Sequence, residues 1–257
     1  MLQGLYEGAR QDANSREHEV PLHELEKQAR SARPVRSALD ALSPRDRIHV
    51  ISEIKRKSPS KGELADIDDP VALAQEYEAG GASMISVLTE SRRFGGSLAD
   101  LHAVSAAVDI PVLRKDFLES EYQIVEARAA GADVVLLIMA GITDERAERL
   151  LEVAREWEMQ ALVEAHTAEE VDRAIAVGAD IVGVNARDLA TFELNKDLFG
   201  QMVPRFPDGV IRVAESAVAE ASAVARYRSQ GAHAVLIGEA LVTGANPRER
   251  VKEFVAA

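Results

Sequence analysis

Eight short apolar runs punctuate the chain, at Ile48 to Ile54, Ser83 to Thr89, Pro111 to Arg114, Asp133 to Met139, Met159 to Glu164, Asp180 to Asn185, Val210 to Glu215 and Ala234 to Gly238. They are rich in Val, Ile and Leu and lack clean polar alternation, which predicts parallel strands buried on both faces. Segments of helical period separate them: Pro70 to Gly80, Leu98 to Ala107, Ser120 to Ala130, Thr143 to Trp157, Thr167 to Val177, Lys196 to Val203, Val218 to Gln230 and Pro247 to Val255. The boundaries carry matching chemistry. Asp69-Pro70 reads as an N-cap followed by the first helical residue, and Thr143 and Thr167 each precede first-turn carboxylates. Gly-Ala pairs at Gly81, Gly131, Gly178 and Gly231 close four helices just ahead of a strand, an internal repeat in which a left-handed glycine turns the chain back.

Eight strand-helix units in 257 residues predict an α/β protein, a closed (β/α)8 TIM barrel, for which about 250 residues is typical. A doubly wound open sheet is the competing fold, and the even spacing and the lack of a dinucleotide fingerprint favour closure. Residues 1–47 precede the first strand. They hold an amphipathic helix from about Leu2 to Glu19, a charged segment, and Pro34 and Pro44, and read as an N-terminal helical extension of one barrel domain spanning residues 1–257.

Composition narrows the chemistry. The chain is 47% hydrophobic and 28% charged, so it is expected to fold rather than remain disordered. Acidic residues outnumber basic ones by 43 to 30, a formal charge of -13, which disfavours nucleic acid and anionic membranes as partners. A few inward-pointing cations can still hold a phosphate in a low-dielectric cleft. The absence of cysteine excludes disulfides, thiolate metal sites and a cysteine nucleophile. No apolar h-region opens the chain and no apolar stretch approaches the roughly 18 residues of a membrane span, so a soluble cytoplasmic protein is expected. The histidines offer one pair near ligand spacing, His18 and His23, in a polar segment, and Asp66, Asp68 and Asp69 lead into Pro70 as a helix cap. No metal is expected.

In a parallel barrel the strand C-termini open onto one face, so polar residues there are the candidates for a site. Strand one ends Glu53-Ile54-Lys55, whose alternation puts Glu53 and Lys55 on one side. Strand three ends in Arg114-Lys115-Asp116, strand five in Glu164, strand six in Asn185, strand seven in Glu215-Ser216 and strand eight in Gly238-Glu239. Any one of them alone reads as a solvated rim charge. Two lysines and three glutamates arriving together would shift one another's pKa values and supply both a proton donor and an acceptor. The loops after strands seven and eight, the common phosphate site of this fold, each lead into a helix. There Gly238 serves either an anion or only a tight turn. Phe94, in the glycine-bearing loop after strand two, either contacts a ring-shaped ligand or packs the loop.

Five strings, Ser52-Glu53-Ile54-Lys55-Arg56-Lys57-Ser58-Pro59-Ser60, Val112-Leu113-Arg114-Lys115-Asp116-Phe117, Leu162-Val163-Glu164, Gly183-Val184-Asn185-Ala186-Arg187-Asp188-Leu189 and Ala214-Glu215-Ser216, together resemble the indole-3-glycerol phosphate synthase family. The resemblance runs from strand one to the last helix, and the extra N-terminal helix fits it. It implies a decarboxylating lyase of tryptophan biosynthesis: 1-(2-carboxyphenylamino)-1-deoxyribulose 5-phosphate closes its ring, then loses CO₂ and water, without a cofactor. Carried over by position, the resemblance makes Lys115 the general acid and Glu164 its acid/base partner. Lys55 would bind the substrate carboxylate and phosphate region and take part in proton transfer, with Glu53, Asn185 and Glu215 positioning these groups and the substrate hydroxyls. Ser58, Ser216, Gly238 and Glu239 would meet the phosphate. Phe94, Phe117 and Leu136 would line the anthranilate pocket, flanked by Arg187.

Two positions depart from the family: Ala217 stands where Gly is usual after the Glu-Ser pair, and Ala240 where Ser is frequent. The added Cβ at Ala217 would crowd a phosphate-binding amide. The competing chemistry is a Schiff-base aldolase acting on a sugar phosphate through Lys115. The isomerase of the same pathway uses a cysteine, which this chain lacks, and a non-catalytic anion-binding barrel has little use for a paired Lys115 and Glu164. A monomer is expected, with a small anionic sugar phosphate as partner.

Overall fold

Three helices, α1 (Leu2–Glu19), α2 (Leu22–Ser31) and α3 (Ala38–Ala41), lead into strand β1 (His49–Ile54) in a computed structural model of the protein, which describes residues 2–59, 61–188, 191–244 and 246–257. Ser60 and Leu189, which belong to the strings quoted above, lie outside the described residues. A small hairpin, β2 (Lys57–Ser58) and β3 (Gly62–Glu63), follows β1. The chain then alternates: α4 (Pro70–Ala79), β4 (Met84–Leu88), α5 (Leu98–Ala107), β5 (Val112–Lys115), α6 (Glu121–Ala129), β6 (Val134–Ile138), α7 (Asp144–Glu156), β7 (Gln160–Ala165), α8 (Ala168–Ala176), β8 (Ile181–Asn185), α9 (Leu198–Met202), β9 (Ile211–Glu215), α10 (Ala221–Ser229), β10 (Ala234–Ile237), α11 (Glu239–Val242) and α12 (Pro247–Val255). Strands β1, β4 to β10 form a closed parallel barrel, sealed where β1 pairs with both β10 and β4.

Burial on both faces explains the unbroken apolar pattern of the strands. In β6, Val134, Leu136 and Ile138 enter the barrel interior beside Ile51, Met84, Leu113 and Leu162. Val135 and Leu137 face the other way, into the layer shared with the helices. Each such side chain contributes about 1.5–3 kcal/mol by leaving water. Helix starts follow the capping signals: Asp69, Thr143 and Thr167 each accept a backbone N–H of the first turn, and Ser120 with Gln123 forms a capping box. The glycines of the Gly-Ala repeat all adopt positive φ, between 81° and 97°.

Three features differ from the sequence expectation. The charged segment after α1 holds α2 and α3. The apolar stripe of α2 is Leu25 and Ala29 with the half-buried Leu22, packed on Tyr122 and Val125 of α6, too short to stand out among its charges. The helix expected from Lys196 to Val203 is shorter and passes into a 3-10 turn at Val203–Arg205, where Pro204 cannot supply an α-helical N–H. The helix expected from Val218 begins at Ala221, because Ser216 and Ala217 take left-handed backbone and lengthen the preceding loop.

The N-terminal helices reach both ends of the barrel. Leu5, Tyr6 and Ala9 of α1 join Phe117, Leu136 and Ile138 at the C-terminal mouth. The Tyr6 ring occupies the space that a Cβ on Gly141 would fill. At the opposite end Ala38 and Leu42 join the interior cluster, and the Ala38 N–H donates to Gln160 Oε1 at 2.9 Å, at the start of β7. Between the two, Arg33 grips the fully buried Asp133 through two bonds of 2.8 and 2.6 Å, and Asp133 also accepts the N–H groups of Arg36 and Val112. Arg33→Ala therefore leaves a buried carboxylate short of its principal counter-charge. The expected cost is about 3 kcal/mol, read as a lower urea midpoint with an unchanged m value.

Candidate active site

Alternation along the strands aims the ionisable tips. In β5, Leu113 lies in the barrel interior, Arg114 turns outward to Gln123 and Glu126 of α6, and Lys115 turns back into the mouth. Of the polar trio Arg114-Lys115-Asp116, then, the guanidinium belongs to the wall behind the barrel. Glu53, Lys55, Lys115, Glu164, Asn185 and Glu215 converge on one cavity of about 870 Å³. Ser58, Phe94, Phe117, Leu136, Arg187, Ser216, Gly238 and Glu239 line the same space, so every residue nominated from sequence reaches it.

A chain of polar contacts crosses the floor. Lys115 Nζ donates to Glu164 Oε2 at 3.1 Å and stands 3.9 Å from Glu215 Oε2. Glu164 Oε1 accepts Asn185 Nδ2 at 3.1 Å. The Ser216 hydroxyl and the Arg187 N–H both donate to Asn185 Oδ1, at 2.7 and 3.0 Å, which fixes the amide with its NH₂ toward Glu164. On the other side Lys55 Nζ lies 2.6 Å from Glu53 Oε1. Two glycines make room: a Cβ on Gly183 would collide with the Glu215 carboxylate, and one on Gly238 with that of Glu53. Gly238 is thus required for space beside the Glu53–Lys55 pair; its φ of -115° is open to any residue.

Burial sharpens the electrostatics. Desolvation alone would lower the Lys115 pKa, but the carboxylates of Glu164, Glu215 and Glu53 outweigh it and drive the net shift upward. Burial would raise Glu164, yet Lys115, His166 and Asn185 hold it well below the usual carboxylate range. Glu215 goes the other way: burial and the nearby Glu164 charge push it well above the usual carboxylate range. The floor therefore sets an ammonium beside two carboxyl groups whose proton affinities are driven apart. A Schiff-base lysine needs a depressed pKa; the upward shift at Lys115 fits a proton donor and argues against the aldolase alternative.

Two loop aromatics join Leu136 of β6 and Leu5 of α1 in the apolar half of the cavity. Phe94 and Phe117 have ring centroids 6.1 Å apart, and Tyr6 meets Phe117 edge-on at 5.6 Å. Glu90 organises the Phe94 loop by accepting the N–H groups of Arg92, Arg93 and Phe94 at 3.1, 2.7 and 2.9 Å. Phe94 thus serves both the loop's own packing and the cavity wall. The Glu239 carboxylate pairs with Lys61 across the mouth, leaving its helix-starting backbone as the part that can face an anion.

Sequence reasoning missed Leu2 and Leu5 of α1, which also line the cavity, because nothing local indicates where an extension docks. It also missed His166, whose Nε2 lies 3.2 Å from Glu164 Oε1. The signal was present: residues two apart at a strand end share a side.

The sequence profile of the indole-3-glycerol phosphate synthases matches residues 2–254. Relatives of that name include one from Leifsonia xyli subsp. xyli, 57% identical over 254 residues, covering 99% of this chain and 97% of the relative. Another, from Beutenbergia cavernae, is 53% identical over 257 residues, covering 100% and 95%. Among solved structures, 3-hexulose-6-phosphate synthase superposes with a TM-score of 0.64 at 19% identity, over 82% of this chain and 98% of its own. The N-acetylmannosamine-6-phosphate 2-epimerase of Clostridium perfringens gives 0.62 at 14%, over 88% and 98%. At such identities the structures speak for the barrel alone. The profile and the relatives extend across the barrel and the N-terminal helices alike, and on that breadth the chain belongs to the indole-3-glycerol phosphate synthase family.

Proposed function

We propose that the chain converts 1-(2-carboxyphenylamino)-1-deoxyribulose 5-phosphate to indole-3-glycerol phosphate, with Lys115 as general acid and Glu164 as base. The observation that carries this reading is the 3.1 Å Lys115–Glu164 contact, whose partners are shifted in opposite directions so that one holds a proton and the other lacks one. Ring closure turns the ketose carbonyl oxygen into a hydroxyl as the carboxyl-bearing aromatic carbon attacks. An ammonium that donates to that oxygen stabilises charge present only in the transition state. The adduct carries an iminium nitrogen, which accepts the electron pair of the breaking bond as CO₂ leaves. Loss of water then needs a base for the ring proton and an acid for the departing hydroxyl.

The remaining side chains position the substrate. Phe94, Phe117 and Leu136 supply an apolar slot for the anthranilate ring, with Arg187 at its edge. Lys55, paired with Glu53, meets the carboxylate and phosphate region; Asn185 and Glu215 orient the reacting groups. Ser58, Ser216 and the backbone at Gly238 and Glu239 hold the phosphate. The conversion is redox-neutral overall and calls for no cofactor. Residues 1–47 act as part of one domain, a role supported by their docking at both barrel ends. Among the described residues no helix is long and apolar enough to cross a membrane, and the only large hydrophobic side chains exposed are Leu39 and Leu194, which suits a monomer in the cytoplasm.

Supplying the carboxyphenylamino sugar phosphate and following indole fluorescence tests the activity. Borohydride treatment during turnover tests the role of Lys115: no adduct is expected, and a reduced Lys115 adduct by mass spectrometry would overturn it. The phosphate loop offers a separate measurement. Ala217 sits at φ +56°, a left-handed conformation that costs a residue with a Cβ about 1 kcal/mol. Ala217→Gly is expected to raise the urea midpoint and to tighten competitive inhibition by inorganic phosphate.

A further inference from the structure

His166 follows the last residue of β7 and takes no part in the roles assigned above. Its ring is nearly buried and lies between two carboxylates: Nε2 is 3.2 Å from Glu164 Oε1, and Nδ1 is 3.4 Å from Glu170 Oε2, while its N–H donates to the same Glu170 oxygen at 2.7 Å. Neither ring nitrogen has a partner in hydrogen-bond geometry among the described residues, so charge at close range is what ties the ring to both carboxylates. We infer that His166 is a positioning residue: an imidazolium clamped between Glu164 and Glu170 that keeps the Glu164 carboxylate ionised and aimed once Lys115 has given its proton to the substrate. The inference rests on the reading of Glu164 as the base of the water-loss step.

The argument is one of charge at close range. In the resting site Glu164 has two cationic neighbours, Lys115 and His166. Protonating the sugar oxygen leaves Lys115 a neutral amine, and a carboxylate buried beside Glu215 then draws a proton to itself. A neutralised Glu164 cannot remove the ring proton that water loss requires. The imidazolium 3.2 Å away prevents this, because its own charge is held by Glu170 from the far side. Burial would lower the His166 pKa, but Glu164 and Glu170 reverse that and push it up to about 9.

The groups facing His166 are few. Glu164 lies on its own strand; Glu170 comes from α8, with Arg173 behind it, itself engaged by Asp144 and the carbonyls of Met139 and Ile142. Lys115 of β5 and Glu215 of β9 act through Glu164. The 3-10 turn Met139–Gly141, packed beside β7 and α8, brings no ionisable side chain.

Two variants separate charge from hydrogen bonding. His166→Gln keeps an N–H donor without the charge, and His166→Ala keeps neither. With kcat and KM for indole formation measured from pH 5 to 8.5, both variants are expected to move the acid limb of kcat up by about one unit. The loss approaches about tenfold only on the acid side of the limb and shrinks toward pH 8, with KM changed less than about threefold. An infrared titration of the carboxyl band that disappears in Glu164→Gln is expected to show the same upward shift, independent of turnover. Profiles that match the wild type after scaling by one pH-independent factor, or a loss confined to KM, would overturn the inference while leaving Glu164 as base. Wild-type indole formation by Glu164→Gln would instead overturn the assignment on which it rests.

Discussion

Lys115→Met is expected to lower kcat for indole formation by about 10³- to 10⁴-fold while leaving KM within about threefold. The methionine fills nearly the same volume, so the aromatic wall and the phosphate loop keep their shapes. What disappears is, among the described residues, the only ammonium within reach of both Glu164 and Glu215. Lys55 cannot replace it, because its nitrogen is committed to Glu53 at 2.6 Å on the other side of the cavity. The loss is therefore one of transition-state stabilisation. Substrate still binds through groups that Lys115 does not touch, so a fall in kcat without a matching rise in KM is the signature. A kcat within tenfold of wild type would move the proton-donor role elsewhere. Circular dichroism and a urea midpoint near that of the wild type exclude misfolding as the cause.

Much of this site was legible in the sequence because a parallel barrel reduces a three-dimensional question to a one-dimensional one. Once eight apolar runs are recognised, the mouth consists of the residues at their C-terminal ends, and alternation says which of them point inward. Glu53 with Lys55, and Lys115 against the outward Arg114, follow from that rule alone. The resemblance added roles, and the positions Ser58, Phe117, Leu136 and Arg187. What stayed hidden depends on docking between segments far apart in the chain: the fit of Tyr6 against Gly141, the entry of Leu2 and Leu5 into the cavity, and the plug of Ala38 and Leu42 at the opposite end. Local pattern carries no record of where an amphipathic helix comes to rest. The protonation states were hidden for a different reason. Glu164 and Glu215 are the same residue type at equivalent strand ends, and they part company because Lys115 sits 3.1 Å from one and 3.9 Å from the other, with Asn185 and His166 supporting only the first.

Glu164→Gln divides the reaction in two. The amide keeps the size of the carboxylate, and its one carbonyl oxygen can still accept from Lys115, while the NH₂ takes the place of the oxygen that accepted from Asn185. The substitution removes the one group at that position able to take up a proton. Lys115 loses its strongest stabilising charge but keeps Glu215 and Glu53 nearby, and remains protonated near neutral pH. Ring closure needs an acid, and loss of CO₂ needs the iminium nitrogen; neither requires Glu164. In a single turnover the variant is expected to release up to one equivalent of CO₂ per site while indole fluorescence grows at least about 10³-fold more slowly than in the wild type. The released CO₂ would be paired with an enzyme-bound ring that still carries its hydroxyl, detectable by acid quench and mass spectrometry. If CO₂ release and fluorescence slow by the same factor, Glu164 acts at or before ring closure. The two carboxyl groups beside Lys115 would then have to exchange roles, with Glu215 serving the water-loss step.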